Sequence, residues 1–101
     1  MTRDSRIYVG RLDQGTPSVY AVDAATVERL LPSGDAFRWG APGGDATLEL
    51  ARVLLADAGG ADPPTDAVRL FAAQILGRLP QDGFALQRET VGAWLRRYVT
   101  V

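Results

Sequence analysis

Cysteine, histidine and lysine are all missing from this chain of 101 residues. Without cysteine or histidine, the chain cannot form a zinc-finger ligand set, a Cys–His or Ser–His pair, or a histidine acid–base catalyst. Without lysine, it lacks the phosphate-binding lysine of the Walker motif and any Schiff-base mechanism. Carboxylates, hydroxyls and arginine remain, with Mg²⁺ as the metal that carboxylates would bind. We therefore expect a protein that is not an enzyme and that uses no cofactor and no metal.

A strong net charge and a long apolar run are missing as well. The formal net charge of −1 gives no global attraction to nucleic acid or to an anionic membrane. The longest apolar window, residues 48–58, contains three charged residues and is too short to span a bilayer. No apolar stretch of a secretory signal follows the amino terminus. We expect a cytoplasmic protein without a membrane or nucleic-acid partner.

What the chain does contain is typical of one small globular domain. Hydrophobic residues make up 47% and charged residues 23%, which are ordinary values for a folded protein. A chain of this length buries roughly two-thirds of its unfolded surface, so one core is expected. We predict a single domain over residues 1–101, with residues 1–5 disordered. Arginine as the only cation, with abundant alanine and glycine, is typical of a high-G+C bacterial genome.

Strand signals dominate the first part of the chain. Two β-rich segments, Arg6–Leu12 and Ser18–Val22, flank a five-residue loop at 13–17 and predict a β-hairpin. Residues 26–31 favour one helical turn. Residues 37–39, with two aromatic side chains on one face, predict a short third strand, and residues 84–86 predict a fourth.

Helical spacing of apolar residues dominates the rest of the chain. The first helix is expected to start at the candidate N-cap Asp45 and to end at Gly59-Gly60. The second is capped by Asp62 or Thr65, with Pro63 and Pro64 in its first turn, and the third opens at Glu89. This order predicts an α+β fold: a small curved sheet of three to four strands, a hairpin plus short strands, covered by three helices. The predicted single core contains Phe37, Trp39, Leu54, Phe71, Ile75, Phe84 and Trp94.

The glycine-rich bend at Gly40–Gly44, between Trp39 and the first long helix, has two interpretations. Backbone N–H groups at a helix start can bind an anion, which would make Arg38, Gly43 and Gly44 a site for a phosphate or nucleotide. Alternatively, the glycines only let the backbone bend close to Trp39. The bend lacks the G-x-G-x-x-G and G-K-[ST] patterns, and Asp45 would repel a phosphate. The structural interpretation is therefore favoured.

The hairpin and the bend offer a candidate surface for a partner protein. One face of a two-stranded hairpin must pack on the helices, while the other face can meet solvent or a partner. The residues assigned to this surface are Arg6, Tyr8, Arg11, Tyr20, Ala41 and Pro42. An ordinary solvated edge is the alternative. The leading hypothesis is a non-catalytic interaction or regulatory domain, and a small anionic-ligand binder at the bend is the second.

Two groups of motifs in the chain carry a resemblance. The first is F-x-W-G at residues 37–40, then the glycine-rich bend and L-L-A-D at residues 54–57. The second is L-P-x-D-G-[WF]-x-L at residues 79–86, followed by Trp94-Leu95. Together they resemble a family of small, uncharacterised bacterial, archaeal and phage-associated domains of unknown function. The chain departs from that pattern at Ala41, where the family has an aromatic residue, and at Gln87, where it has a threonine. The resemblance implies the fold and the domain limits, and no activity.

Overall fold

A computed structural model describes residues 6–31, 37–40 and 44–100, with the side chains of residues 99 and 100 excepted. The predictions for residues 1–5 and for Ala41, Pro42 and Gly43 lie outside the described residues. The strands are β1 (Ile7–Asp13), β2 (Thr16–Val22), β3 (Val27–Leu30) and β4 (Gly83–Gln87). The helices are α1 (Asp45–Gly59), α2 (Thr65–Gln74) and α3 (Arg88–Thr100), with a short 3₁₀ helix at Leu76–Arg78. The predicted α+β fold is confirmed.

The four strands form one antiparallel sheet in the order β3-β2-β1-β4. The predicted hairpin is present, but its turn has two residues, Gln14 and Gly15, instead of five. Both have positive φ, 54° and 82°, as the two central residues of a type I′ turn require. This turn matches the right-handed twist of the strands and sets Asp13 opposite Thr16.

The position of the third strand differs from the prediction. Residues 27–30, predicted as part of a helical turn, form β3, because the Asp23 carboxylate accepts the N–H groups of Ala25 and Thr26, each at 2.8 Å. This local turn directs the chain back along β2. The segment around Phe37 and Trp39 is not a strand.

The segment at 37–40 is held by the core and by the chain around residue 80. The Trp39 indole donates to the Pro80 carbonyl at 2.9 Å, and the Gly40 N–H donates to the Leu76 carbonyl at 2.8 Å. Its conformation therefore depends on residues some 40 positions later.

Helix ends follow the predictions in part. Gly44, with φ 87°, is the N-cap of α1, and Asp45 is the first helical residue, so the prediction of Asp45 as N-cap was wrong. The predicted end of α1 is confirmed, since Gly60 has a left-handed φ of 80° and donates its N–H to the Ala56 carbonyl. Pro64 is the N-cap of α2 and not part of its first turn.

One hydrophobic core fills the space between the sheet and the helices. Five of the seven predicted core residues are buried, and Ile75 and Trp94 pack against the core partly buried. The sheet contributes its inner face, the face that carries Tyr8, Gly10, Val19, Ala21 and Phe84. Its outer face carries Ile7, Val9, Arg11, Ser18, Tyr20, Val22, Val27, Arg29, Ala85 and Gln87. Within the described parts of the chain, no helix has the length and apolar character needed to cross a membrane.

Candidate functional site

The outer face of the sheet carries an apolar strip that no described element covers. Strand pairing aligns the side chains of the outer face in rows across the four strands. The first row consists of Ile7, Val22 and Val27, which we call the apolar row, with Gln87 at its β4 end. The next row consists of Ala85, Val9, Tyr20 and Arg29. Ile7 is 37% exposed and Val27 is 69% exposed. Large apolar side chains side by side in solvent are typical of contact surfaces.

A polar cluster lies on the same face of the sheet, at the hairpin end. The Tyr20 hydroxyl donates to Asp13 Oδ2 at 2.9 Å, and Arg11 Nε lies 2.8 Å from Asp13 Oδ1. The hydrogen bond from Tyr20 is the main cause that lowers the pKa of Asp13. Ser18 also bonds to Asp13 and is buried on this otherwise open face. The structure thus brings the predicted Arg11 and Tyr20 together through Asp13, which the sequence reasoning missed.

Tyr8 and Arg6 do not belong to this surface, so their assignment to an exposed patch was wrong. Tyr8 lies on the inner face and is fully buried. Its hydroxyl donates to Asp57 Oδ2 at 2.5 Å. Arg6 Nη1 donates to both oxygens of Asp57, at 2.9 and 3.1 Å. Both side chains therefore point toward the helices.

Asp57 is the centre of a network that we call the Asp57 cluster: Arg6, Tyr8, Asp57 and Arg88. Arg88 donates its side chain to the Asp57 carbonyl and its N–H to the Arg6 carbonyl, each at 2.8 Å. The cluster joins the start of β1, the end of α1 and the start of α3. Asp57 lies in the last turn of α1, where the helix dipole disfavours a negative charge. That unfavourable position was the one sequence signal that Asp57 has a cationic partner.

The buried polar atoms of the Asp57 cluster have hydrogen-bond partners within the protein. In the described residues, no buried side-chain nitrogen or oxygen lacks a hydrogen-bond partner. Burial would lower the pKa of Arg6, but the hydrogen bond and charge of Asp57 outweigh it and raise that pKa. The arrangement stabilises the fold, since its hydrogen bonds join three secondary-structure elements.

Tyr8 makes the stability of the protein sensitive to alkaline pH. Burial raises the pKa of Tyr8 above its ordinary value, and the hydrogen bond to Asp57 raises it further. In the unfolded chain a tyrosine loses its proton near pH 10, about its ordinary pKa. The stabilisation from Tyr8 is therefore fully present below pH about 10 and is lost as the pH rises above it.

We expect urea unfolding of the wild-type protein to show the onset of this loss between pH of about 10 and 11, just above the ordinary tyrosine pKa. The stability difference between the wild type and Tyr8→Phe should shrink over that range. Tyr20→Phe, which removes a tyrosine hydroxyl on the outer face, is the matched control. A Tyr8→Phe protein with the same alkaline loss as the wild type would contradict the assignment.

Of the predicted anion ligands Arg38 and Gly44, Arg38 lines a pocket beside the start of α1 and Gly44 does not. The pocket has a volume of about 350 Å³, and its walls include Pro17, Arg38, Trp39, Ala46 and Gln81. Arg38 is exposed and forms no ion pair with a described residue. Gly44 is an exposed N-cap without a side-chain cap. The described residues contain no group of three acidic, histidine or cysteine side chains that could hold a metal ion.

Comparison with known proteins identifies the family of this chain. The family model described as "Family of unknown function (DUF6166)" matches residues 2–97. Because this match extends over nearly the whole chain, the chain belongs to that family. No curated protein and no solved structure is similar enough to count as a match. The resemblance to an uncharacterised domain is confirmed to that extent.

Proposed function

For this member of a family of unknown function, we propose a non-catalytic interaction domain that binds a partner protein through the outer face of its sheet. One observation carries the proposal: the described helices cover the inner face, while Ile7, Val22 and Val27 form an apolar row on the outer face, which no described element covers. A sheet face that contacts only solvent usually carries polar side chains. The apolar row supports a protein contact.

The charges beside the row support a partner of particular chemistry. Arg11 and Asp13 neutralise each other at the hairpin end. Arg29, next to the row, is exposed and forms no ion pair with a described residue. A partner that buries the row would leave Arg29 beside the interface, where an unpaired charge is unfavourable. We therefore propose a partner surface that is apolar, with an acidic side chain facing Arg29.

The proposal that the domain is non-catalytic rests on its residue types and on the Asp57 cluster. The chain has no cysteine, histidine or lysine. The part-buried charged side chains of the Asp57 cluster form hydrogen bonds between secondary-structure elements. Neither feature supplies a free acid, base or nucleophile.

Site-specific photo-crosslinking in the source cells tests the proposed surface. A benzophenone amino acid is placed at Val27 in one protein and at Leu70 in another. Leu70 is a matched control, because it is also an exposed apolar residue, 37% accessible, but lies on α2 beside an open cleft. We expect the protein labelled at Val27 to form one dominant adduct with another protein. The protein labelled at Leu70 should not form that adduct.

An added Ile7→Glu substitution should remove the Val27 adduct, because a charge in the apolar row opposes burial of the row. Equal adducts from Val27 and Leu70, or a Val27 adduct that survives Ile7→Glu, would contradict the proposed surface.

A second candidate function, binding of a small anion, is favoured by the pocket beside α1 with Arg38 in its wall. If the pocket binds phosphate, phosphate should raise the melting temperature of the wild type with the logarithm of its concentration. Arg38→Gln should remove that rise. A melting temperature independent of phosphate, or an equal rise in Arg38→Gln, would exclude this candidate.

A further inference from the structure

We propose that two copies of this chain pair through β4 to form one continuous antiparallel sheet of eight strands. Among the strands that the structure describes, β4 lies at an edge of the sheet and has β1 as its one neighbour. An edge strand with free backbone groups is a template for another strand, and proteins usually protect it with charge or proline. β4, Gly83–Gln87, contains neither. This proposal does not depend on the proposed function.

The hydrogen-bond pattern shows which backbone groups of β4 are free. The Arg88 N–H donates to the Arg6 carbonyl at 2.8 Å, so Arg6 and Arg88 are a hydrogen-bonded pair. Bonded and non-bonded pairs alternate in an antiparallel ladder. Leu86 and Phe84 therefore bond to β1, while the N–H and C=O groups of Ala85 and the N–H group of Gln87 point outward. The Gln87 carbonyl precedes α3 and serves the first turn of that helix. Ala85 and Gln87 are both exposed.

A two-fold axis at Ala85 makes β4 complementary to itself. Ala85 then faces Ala85 of the second copy, and Gly83 faces Gln87 of the second copy. Across the interface the N–H and C=O groups of Ala85 pair with those of Ala85 in the second copy, and the Gln87 N–H pairs with the Gly83 carbonyl. The Gly83 N–H takes no part, because it donates to the Pro80 carbonyl at 3.3 Å. No charged side chain lies between the strands. Beyond the strand ends, Asp82 of each copy lies toward Arg88 of the other, so the ends carry opposite charges. Opposite charges across strands favour pairing.

The other sheet edge does not have this property. A two-fold axis that lets two copies of β3 overlap along most of their length places either Glu28 opposite Glu28 or Arg29 opposite Arg29. Like charges directly opposite each other destabilise a strand pair. β3 thus carries charged side chains that would repel their copies, whereas β4 carries none. We therefore expect two copies to pair through β4.

Charge substitutions at the proposed axis test this pairing with the purified chain alone. In Ala85→Lys or Ala85→Glu, two like charges would face each other at the axis. We expect sedimentation equilibrium to show a wild-type dimer. Each variant should dimerise at least tenfold more weakly, and a mixture of the two should form a heterodimer. Ala73→Lys is the matched control, since Ala73 is an exposed alanine on α2, away from the sheet.

Three results would overturn the proposal. The first is a wild type that stays monomeric up to about 1 mM, the weak limit of ordinary association. The second is an Ala85→Lys protein that dimerises as well as Ala73→Lys does. The third is a mixture of the two Ala85 variants that contains only monomers, although each variant melts cooperatively. Heterodimer formation would also show that both variants are folded.

Discussion

Replacing Gly10 with valine is expected to lower the free energy of unfolding by about 3–5 kcal/mol, the cost of losing a large buried aromatic side chain. Gly10 lies on the inner face of β1, under the ring of Phe84. A Cβ atom at Gly10 would lie 2.1 Å from Phe84 Cε2 and 2.4 Å from Cδ2. The ring cannot turn aside, because it packs edge-on against Trp39 with centroids 4.9 Å apart. Valine would therefore expel Phe84 from the core.

A double-mutant cycle isolates the contact between Gly10 and Phe84. Gly10→Ala should destabilise the wild type strongly but have a much smaller effect in the Phe84→Ala background, where the ring is absent. Gly92→Ala on α3 is the matched control, since its nearest neighbour would be Arg96 Nη1 at 3.4 Å, an ordinary contact. Chemical denaturation measures all four proteins of the cycle. Equal effects of Gly10→Ala in both backgrounds would contradict this packing.

Replacing Asp57 with alanine is expected to cost about 3 kcal/mol, the lower end for breaking a buried ion pair. The side chains of Asp57 and Arg6 are still 24% and 18% exposed, so we expect a cost in stability at the lower end of that range. Without the carboxylate, the buried Tyr8 hydroxyl loses its acceptor and Arg6 loses its main counter-charge. The three elements that meet at the cluster would lose their common link.

Asp62→Ala provides the control for the Asp57 substitution. The Asp62 side chain is 90% exposed and lies 3.9 Å from Arg52, so its removal should change stability by less than about 0.5 kcal/mol. Denaturation midpoints of the two variants give the comparison. An Asp57→Ala protein as stable as Asp62→Ala would show that the cluster contributes little.

The sequence predicted the fold class, the helices and most of the core, because these depend on periodic patterns within each segment. It did not predict the face on which each tyrosine lies, and turn length explains why. A loop at 13–17 pairs Leu12 with Ser18, which puts Tyr8 and Tyr20 on the same face. The two-residue turn shifts the register by one, and such a shift moves a side chain to the other face.

Contacts between distant segments account for the remaining differences. Residues 26–31 were predicted as a helical turn, yet the turn held by Asp23 and the pairing with β2 make residues 27–30 a strand. The position of Asp57 near the end of α1 indicated a cationic partner, but the sequence did not identify that partner, since Arg6 lies 51 positions away. The apolar row likewise exists only once the strand order places Ile7, Val22 and Val27 side by side.

The central claim is that the outer face of the sheet is the binding surface. The affinity for the partner protein that the Val27 photo-crosslink identifies tests this claim most directly. The dissociation constant is measured with purified wild type, Val27→Asp and Leu70→Asp. Val27→Asp buries a charge in the apolar row, so we predict a loss of at least about tenfold. Leu70→Asp should bind like the wild type. Unchanged binding by Val27→Asp, or an equal loss in Leu70→Asp, would contradict the claim.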